Sequence, residues 1–479
     1  MMSSARWKPV ALVAVPTMVA IALMASPAPL AAQHGDGRNT PPVTYSKDIA
    51  PILQRSCQAC HRAGAVAPMS LLTYDEVRPW ARSIKARTAL RDKPNAMPPW
   101  FIDKTVGIQQ YKGDISLSDE EVEKIARWAD AGAPRGNPAD EPKPVKFLGE
   151  HEWEIGTPDL IVSGPTVSVK ATSPDWWGPL QTVPTGLADD RYVAAVEMKE
   201  VSNAKKKTNR ATIGGQSVFH HLVWSAVTAD GTRPTAGGGA TWPVHEVGRN
   251  ADFFDPRAGR LLTAGSKLVF PSTHMHANGV DTDAHIDFAF KFHPKGYKPE
   301  LKVAALDVTA TLDLDIRPME DNQKIEAFST LRDNVKMVVF EPHMHAAGVR
   351  MCLDAIYSGT IQTLSCAGYN HGWVRIYSYA ENAAPLLPKG TILRVTGYFD
   401  NTPANKNVVD PRNWSGLGHR SIDNMMINIG QVIVLSDEQF QREMAQRREK
   451  LRLTEGQTML GCPLCGYSKP PTVTAGQQQ

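Results

Sequence analysis

Short runs rich in β-branched and aromatic residues recur along most of the chain and constrain its fold more than any other feature. Early runs are "DLIVSG", "RYVAAVEM" and "AHIDFAFKF", and later runs are "VKMVVFEP", "TILRVTGYF" and "MINIGQVIVL". Gly, Pro, Asn and Asp separate them, which is typical of antiparallel sheets joined by turns. A region of roughly 300 residues is large for one sandwich. We therefore predict two all-β antiparallel sandwich (jelly-roll-like) domains, at 147–310 and 311–440.

The region before these runs, 44–136, has a helical pattern. "YSKDIAPILQRSC" and "TYDEVRPWARSIKARTAL" place apolar residues three and four positions apart. "SLSDEEVEKIARWADAGAP" begins with a Ser-x-x-Glu capping box. The Pro-rich and charged stretch 134–146 then predicts a linker. At the other end of the chain, 441–479 is predicted to form a C-terminal helix and a disordered tail.

The first residues, 1–32, have the pattern of a secretory signal peptide. Arg6 and Lys8 precede the apolar run "PVALVAVPTMVAIALMA", and "SPAPLAAQ" supplies small residues for cleavage near Ala32. An uncleaved anchor is the alternative. No later stretch is long and apolar enough to span a membrane. We therefore expect a periplasmic or secreted protein, whose thiols can be oxidised.

The composition is that of a globular chain and gives no case for nucleic-acid binding. The 479 residues are 42% hydrophobic and 21% charged, and a chain of this length accommodates about three domains. The net charge is only +3, and lysine and arginine are spread along the sequence. No basic surface for a nucleic acid or an anionic membrane is therefore predicted.

The motif "CQACH" indicates a covalent haem. In C-x-x-C-H, the thiols of Cys57 and Cys60 add to the haem vinyl groups, and His61 binds the iron. A disulfide or zinc knuckle beside a chance histidine is the alternative, but export and the helical flanks favour haem. The stretch resembles small c-type cytochrome domains that precede other domains in secreted bacterial proteins. We therefore predict one haem c in a small all-α cytochrome c-like domain at 44–136.

A second axial ligand to the haem iron would come from a methionine. Met97 lies in "NAMPPWF", where two prolines would hold it in a fixed loop. Met69, in "VAPMSLL", is the competing candidate. A thioether ligand would favour electron transfer over the binding of an external ligand.

Three histidine clusters in the β-rich region predict metal binding. They are His220-His221, His274-x-His276 and His343-x-His345. On a strand, residues two apart face the same side, so an H-x-H pair can aim two imidazoles at one ion. Adjacent histidines face opposite sides, so the first pair needs a bulge or a strand end to converge. Imidazole suits several metals, but a thioether from Met425 would favour Cu(I). Packing of that methionine in the core is the alternative.

With these motifs, the region from about 150 to 440 resembles the copper type II, ascorbate-dependent monooxygenases. The best-known members are peptidylglycine α-hydroxylating monooxygenase and dopamine β-monooxygenase. The resemblance implies two sandwich domains that each hold one copper ion, across an open cleft. It implies that the second copper binds and reduces dioxygen while a C–H bond is hydroxylated, and that the first copper stores the other electron.

The resemblance also implies which residues bind copper. The implied ligands of the first copper, carried by "HHLVWSAV" and "LVFPSTHMHANG", are His220, His221 and His276. The implied ligands of the second copper, which also form the catalytic group, are His343, His345 and Met425 in "PHMHAAG" and "DNMMINI". His274 is an extra imidazole that could replace His276 as a ligand.

Some positions depart from the family pattern. Glu341 stands where the peptide-amidating enzyme has an arginine that grips the substrate carboxylate, and Ile427 and Ile429 replace polar and tyrosine positions. Peptide amidation is therefore not expected. His371 and His419 are expected to be structural or to line the cleft, and His285 is expected to be structural.

Four cysteines lie outside the haem motif. Cys352 and Cys366 could form a disulfide, which in the chain-entropy model contributes ~3 kcal/mol for a loop of about 15 residues. Cys462 and Cys465 lie in "CPLC", which lacks a following histidine. That pair is either a local disulfide or a copper-handling dithiol.

These features together predict a copper-dependent monooxygenase. The expected partners are dioxygen, an unknown organic substrate, and an ascorbate-like reductant or electron-donor protein. A flexible linker of ~13 residues would keep the haem close to the copper domains, so that electrons could also arrive through the cytochrome domain. A non-catalytic electron-transfer or copper-binding protein is the alternative. A zinc hydrolase is disfavoured, because zinc rarely uses methionine and a hydrolase needs no haem.

Overall fold

The computed structural model describes most of the chain, in the ranges 41–63, 65–149, 152–204, 217–232, 242–246, 251–310 and 313–468. The predicted signal peptide at 1–32 lies outside them, as does the end of the predicted tail. Val43–Gln479 form one compact unit. No helix in the described ranges is both long and apolar enough to cross a membrane.

Four helices precede the sheets, within the range where the sequence pattern predicts them. They are α1 (Ala50–Ser56), α2 (Tyr74–Val77), α3 (Ala81–Thr88) and α4 (Asp119–Asp130), with a π-helical turn at Tyr45–Ile49. Capping boxes start α2, from Thr73 to Glu76, and α4, from Ser118 to Glu121. The helices share one apolar core around the fully buried Trp128.

The first pair of sheets comes from residues 160 to 292. Its strands are β1 (Leu160–Ser163), β2 (Val167–Val169), β3 (Trp176–Pro184), β4 (Arg191–Ser202), β5 (Phe219–Val227), β6 (His245–Glu246), β7 (Ala251–Phe253), β8 (Arg260–Leu262), β9 (Lys267–Met275) and β10 (Thr282–Phe292). A six-stranded sheet contains β1-β10-β4-β7 with β2 and β8, and a four-stranded sheet has the order β3-β9-β5-β6. The period-two pattern of β10 buries Ile286, Phe288 and Phe290 in the core that both sheets share. Each such side chain contributes roughly 1.5–3 kcal/mol by leaving water.

The second pair of sheets repeats this arrangement between residues 302 and 435. Its strands are β11 (Lys302–Thr309), β12 (Gln323–Thr330), β13 (Asn334–Phe340), β14 (Pro342–Met344), β15 (Gly348–Tyr357), β16 (Thr360–Gly368), β17 (Tyr377–Ser378), β18 (Leu386–Leu387), β19 (Ile392–Phe399) and β20 (Met426–Leu435). A six-stranded sheet contains β11-β20-β13-β17 with β14 and β18, and the other has the order β12-β19-β15-β16. The described chain is thus mostly antiparallel sheet, as predicted.

Residues 100–111, between α3 and α4, pack on the second pair of sheets, whereas Leu117 of the same segment packs in the core of the helices. Trp100, Ile102, Ile108 and Tyr111 are buried in the core of that pair. The backbone N–H of Ile108 donates to the carbonyl of Leu364 at 2.8 Å, so the segment extends the edge strand β16. The range 44–136 therefore includes residues that belong to a different core. Their side chains are apolar, but the sequence does not say which sheet they cover.

The predicted linker at 134–146 also has fixed contacts. The backbone N–H groups of Tyr45 and Ser46 donate to the carbonyls of Pro134 and Arg135, each at 2.9 Å. The side chain of Gln54 donates to the Lys143 carbonyl at 3.1 Å. This stretch runs along the helical part and is not a free tether.

The C-terminal part contributes helix α5 (Asp437–Leu451) and a disulfide. Phe440 and Met444 of α5 pack in one cluster with the fully buried Cys462 and Cys465, which form a disulfide. The other disulfide joins Cys352 of β15 to Cys366 of β16, which are directly paired residues.

Candidate metal centre

Strand β5 brings the adjacent histidines His220 and His221 to one side. The pairing with β9 shifts register between Phe219 and His221, which provides the irregularity that convergence of adjacent side chains requires. The buried carboxylate of Glu200 accepts hydrogen bonds from the backbone N–H groups of Val218 and Phe219 at 3.0 Å and so fixes the start of the strand. The two Nδ1 atoms lie 3.5 Å apart. Two nitrogens bound to one tetrahedral ion at ~2.0 Å would be roughly 3.3 Å apart.

Two histidines, His274 on β9 and His276 directly after it, are candidates for the third ligand position, and different observations favour each of them. Ring nitrogens of His220, His221 and His274 lie within 4.8 Å of one another and could hold an ion. However, both nitrogens of His274 already have partners, since Nδ1 is 2.9 Å from Ser421 Oγ and Nε2 is 3.0 Å from Asp175 Oδ2. A bonded nitrogen must lose its partner before it can bind a metal. We therefore give more weight to the hydrogen bonds than to the proximity.

His276 keeps one nitrogen available. Its Nδ1 lies 3.4 Å from the carbonyl of Ala277, and no partner of Nε2 is found in the described ranges. Its ring centroid is 6.0 Å from that of His220. His276 follows β9 directly, two positions after His274, with Met275 between them buried in the core. The chain thus presents both histidines on the side away from the core.

In the second pair of sheets, β14 and β20 position His343, His345 and Met425. The register pairs His343 with Ile427 and Met344 with Met426. Met344 and Met426 are fully buried in the core, so their strand neighbours His343 and Ile427 face the opposite side. Continued by one position, the same register sets Met425 opposite His345. Met425 is half-buried just before β20.

The His220-His221 and His343-x-His345 clusters line one pocket of about 360 Å³. It is lined by His220, His221, Glu246, His343, Met344, His345, Tyr369, His371, Gly372, Trp373, Val374 and Ser421. Ring centroids of His220, from the first pair of sheets, and His371, from the second, are 6.3 Å apart. The open cleft that the family resemblance implies is therefore not present here. Trp177, which stacks on His274 at 4.6 Å, and Ser421 close it.

Burial and mutual repulsion keep the imidazoles of this pocket neutral. Burial, and then the charge of His274, lower the pKa of His220 to about 3 and that of His371 to about 4. Burial, and then His343, lower the pKa of His345 to about 2. Neutral imidazole is the form that binds metal. The Nδ1 atoms of His345 and His371 are also buried without a hydrogen-bond partner in the described ranges.

A carboxylate that sequence reasoning missed lies between the clusters. Glu246 of β6 is 3% exposed and pairs in register with His221. Its Oε1 is 3.3 Å from Nδ1 of His343, in the other pair of sheets, although the hydrogen-bond angle is poor. A buried carboxylate without a good partner is costly. A nearby cation or metal-bound imidazole would therefore stabilise it.

The C-x-x-C-H motif lies at the end of α1. Cys57 and Cys60 are the cysteines of the described ranges that form no disulfide. Nδ1 of His61 is 3.3 Å from the carbonyl of Met69. If the ring donates from Nδ1, Nε2 is left with its lone pair. This is the arrangement that an iron ligand needs.

The two candidate axial methionines have different positions. Met69 packs against the helical core, and its backbone carbonyl lies 3.3 Å from Nδ1 of His61. Met97 is 42% exposed, and its backbone N–H donates to Arg87 at the end of α3.

The remaining predicted residues lie around the pocket or away from it. Glu341 is 1% exposed, and its N–H donates to Asn428 Oδ1 at 3.1 Å. His285 contacts Asp287 on β10, at 3.2 Å, away from the pocket. His419 is exposed, but its charge acts on His345, so it lies near the rim. His371 and Trp373, by contrast, line the pocket itself. Lining the cleft is one of the two roles expected from the sequence for His371, whereas no motif indicated Trp373.

The comparisons with known proteins do not identify this chain. No protein-family model matches it, and no curated protein does. Among solved structures, the major capsid protein P2 of bacteriophage PM2 is similar, with 10% identity and a TM-score of 0.28. That match covers 56% of this chain and all of the capsid protein. A similarity of this degree carries no argument about the function.

Proposed function

We propose that this protein is a haem- and copper-containing oxidoreductase that hydroxylates a C–H bond with dioxygen. One observation carries the proposal: histidines from both pairs of sheets, each in a cluster suited to a metal, line a single buried pocket. A structural role would not require so many neutral, closely spaced imidazoles. Desolvating them without a ligand is unfavourable.

Copper fits the residues that line this pocket together with His276 and Met425, which lie outside the lining. His220, His221 and His276 would hold one ion through three imidazoles. His343 and His345, with Met425 beside them in register, would hold the other through two imidazoles and a thioether. The thioether is a soft ligand that favours Cu(I). When bound, the ions supply the electrons and the oxygen-binding position that the reaction needs.

The protein's own side chains would orient the metal ligands and cover part of the pocket. Glu246 would accept the Nδ1 proton of His343 and hold that ring with Nε2 facing the metal. The contact of His274 with Ser421 joins the two pairs of sheets beside the pocket, and the contact with Asp175 fixes the His274 ring within the first pair. The contact with Ser421 partly covers the pocket, and a site with less water around it has stronger electrostatic interactions.

The pocket also bears on the substrate. Its lining includes the apolar side chains of Trp373 and Val374 beside the histidines. Ile427 and Ile429 lie on the same side of β20 as His343. In this closed arrangement the site suits a small, weakly polar molecule better than a peptide.

Haem fits the C-x-x-C-H motif. Both thiols are outside disulfides, although the four other cysteines form two. Burial lowers the pKa of His61, so its ring is neutral, and the Met69 carbonyl is placed to hold the Nδ1 proton. The Met69 carbonyl contacts Nδ1 of His61, which holds Met69 on the side of the haem that His61 would occupy. Met97 is therefore the better candidate for the opposite side. Such a haem supplies single electrons.

The experiment is a hydroxylation assay with isotope readout. Protein matured with haem and loaded with copper is given a reductant, ¹⁸O-labelled dioxygen and a panel of small organic compounds. The proposal expects substrate-dependent oxygen consumption and one ¹⁸O atom in the product. Haem reduction and copper binding without any substrate-dependent oxygen consumption would support the alternative, a non-catalytic electron-transfer or copper-binding protein.

A further inference from the structure

His371 lines the same pocket as the two histidine clusters but belongs to neither of them. It comes from the loop between β16 and β17, in the second pair of sheets. Nδ1 of its ring is buried without a hydrogen-bond partner in the part of the chain described. A buried polar nitrogen without a partner is unfavourable. This nitrogen therefore needs a partner that the described side chains do not supply.

The ring of His371 lies beside the first histidine cluster, across the boundary between the two pairs of sheets. Its centroid is 6.3 Å from the centroid of His220, and the two rings are inclined by 32°. The ring centroid of His276, which we place among the ligands of the first ion, is 6.0 Å from that of His220. His371 is therefore almost as close to His220 as that ligand is.

These separations fit two imidazoles on one ion. A ring nitrogen bound at ~2.0 Å places the ring centroid about 3.2 Å from the metal, so the centroids of two ligands lie at most about 6.4 Å apart. The separation of 6.3 Å between His220 and His371 is within this limit and corresponds to rings on opposite sides of an ion. The centroids of His343 and His345, the proposed pair at the second ion, are 5.3 Å apart.

His274 is the competing candidate, since its ring centroid is only 4.8 Å from that of His220. Both of its ring nitrogens already have partners, in Ser421 and Asp175. Nδ1 of His371 has no such partner in the described ranges. Of these two imidazoles, His371 is thus the one that can bind an ion without first losing a hydrogen bond.

The turn that carries His371 is held in place by its own hydrogen bonds and by the strand of the second cluster. The side-chain oxygen of Asn370 accepts from the backbone N–H of Gly372 at 3.1 Å. The hydroxyl of the buried Tyr369 donates to the backbone carbonyl of Met344 on β14. A ligand whose position is fixed in this way loses little conformational freedom when it binds an ion.

We propose that His371 is a fourth ligand of the metal ion at His220, His221 and His276, so that the second pair of sheets completes the first metal site. This inference rests on the proposed function, in which that ion is copper. A site with four protein ligands is closed, whereas a site with three keeps an open position. The first ion would then be suited to storing an electron, and the second ion, with two imidazoles and a thioether, would keep a position for dioxygen.

The test counts the imidazoles bound to Cu(II) by pulsed EPR of full-length protein with ¹⁵N-labelled histidine. Met425→Ala is the background, because it is expected to retain only the first copper ion. His371→Ala, His371→Gln and His274→Ala are made in that background and measured at saturating copper. His419→Ala is the matched control, because His419 is exposed and comes from the same pair of sheets. Competition with a copper chelator gives the affinity of each protein.

The proposal expects four bound imidazoles in the Met425→Ala protein, in the His419 control and in the His274 variant. It expects three in both His371 variants. Their copper affinity should fall roughly tenfold or more, since even the loss of a group that only orients a ligand has an effect of this size. A purely structural role of His371 would not change the number of imidazoles.

Three imidazoles in the Met425→Ala protein itself would overturn this inference. Four that persist in His371→Ala would overturn it as well and would assign the fourth position to His274. Either result leaves the proposed function standing, provided that the wild-type protein binds two copper ions, whereas a wild-type protein without copper would overturn both. If the His371 variants fail to fold, His274→Ala decides: four imidazoles support the proposal, and three contradict it.

Discussion

Glu246 and His343 belong to different pairs of sheets, and their side chains meet, with Oε1 of Glu246 3.3 Å from Nδ1 of His343. Glu246 is carried there by β6, whose partner in register is His221. One carboxylate thus connects the strand of the first histidine cluster to a histidine of the second. This contact leads to the first prediction.

Replacing Glu246 with Gln should weaken copper binding at the second site. In the proposed site the carboxylate would orient His343, and loss of such a partner typically costs roughly 10–100-fold in metal affinity. Competition titration with a copper chelator measures the effect. Glu320→Gln is a suitable control, because Glu320 pairs with Arg317 on the surface. Equal affinity in Glu246→Gln and wild-type protein would refute the orienting role.

Changing His276 to Ala should remove one copper ion per chain, whereas changing His274 to Ala should not. Both nitrogens of His274 are occupied by Ser421 and Asp175, so that residue should contribute to stability instead. Copper counting and urea unfolding separate the two roles. His285→Ala, remote from the pocket, is the control. Loss of one copper in the His274 variant alone would assign the ligand to His274.

The copper-free protein should lose stability as the pH falls below about 6.5. The pKa values of His220, His345 and His371 are lowered by burial to about 3, 2 and 4. The unfolded chain therefore takes up these protons first, and acidification favours it. Burial raises the pKa of Glu200 to about 7, which acts in the opposite direction, since stability from that group falls as the pH rises from about 4.5 towards 7.

Urea unfolding of the copper-free protein between pH 7.5 and 5 measures this dependence. Three histidines outweigh one glutamate, so the net slope should be positive, with stability rising with pH. His371→Asn should reduce the slope, and Glu200→Gln should increase it. A flat profile would mean that the histidines are not buried as described.

Much of the fold could be predicted from the sequence, because its signals are local. The alternation in β10 and the capping boxes of α2 and α4 are each contained within a dozen residues. The placement of Trp100 and Tyr111 was not predictable in the same way. Both are apolar, and the sequence does not specify whether the helices or β16 cover them.

The residues of the site also differ in whether a local motif in the sequence indicates them. The pairs His220-His221 and His343-x-His345 are short motifs, and their spacing already indicates shared ligands. Glu246 and His371 have no such motif. They reach the pocket only because the two pairs of sheets pack together, and this packing depends on contacts far apart in sequence.

Removing the disulfide between Cys352 and Cys366 should cost about 3 kcal/mol of unfolding free energy in the chain-entropy model. The two residues are 14 apart in sequence and directly paired across β15 and β16. Urea unfolding of the double Ala variant, with copper content as a check on the site, measures this. An unchanged midpoint would mean that the sheet holds these strands without the bridge.

The most direct test of the account is a count of copper, zinc and haem iron per chain, in protein matured in a cytochrome-competent host and loaded with copper. The account predicts two coppers and one haem, and loss of one copper when Met425 is changed to Ala. One copper or none, with the haem intact, would contradict the two-copper oxidoreductase.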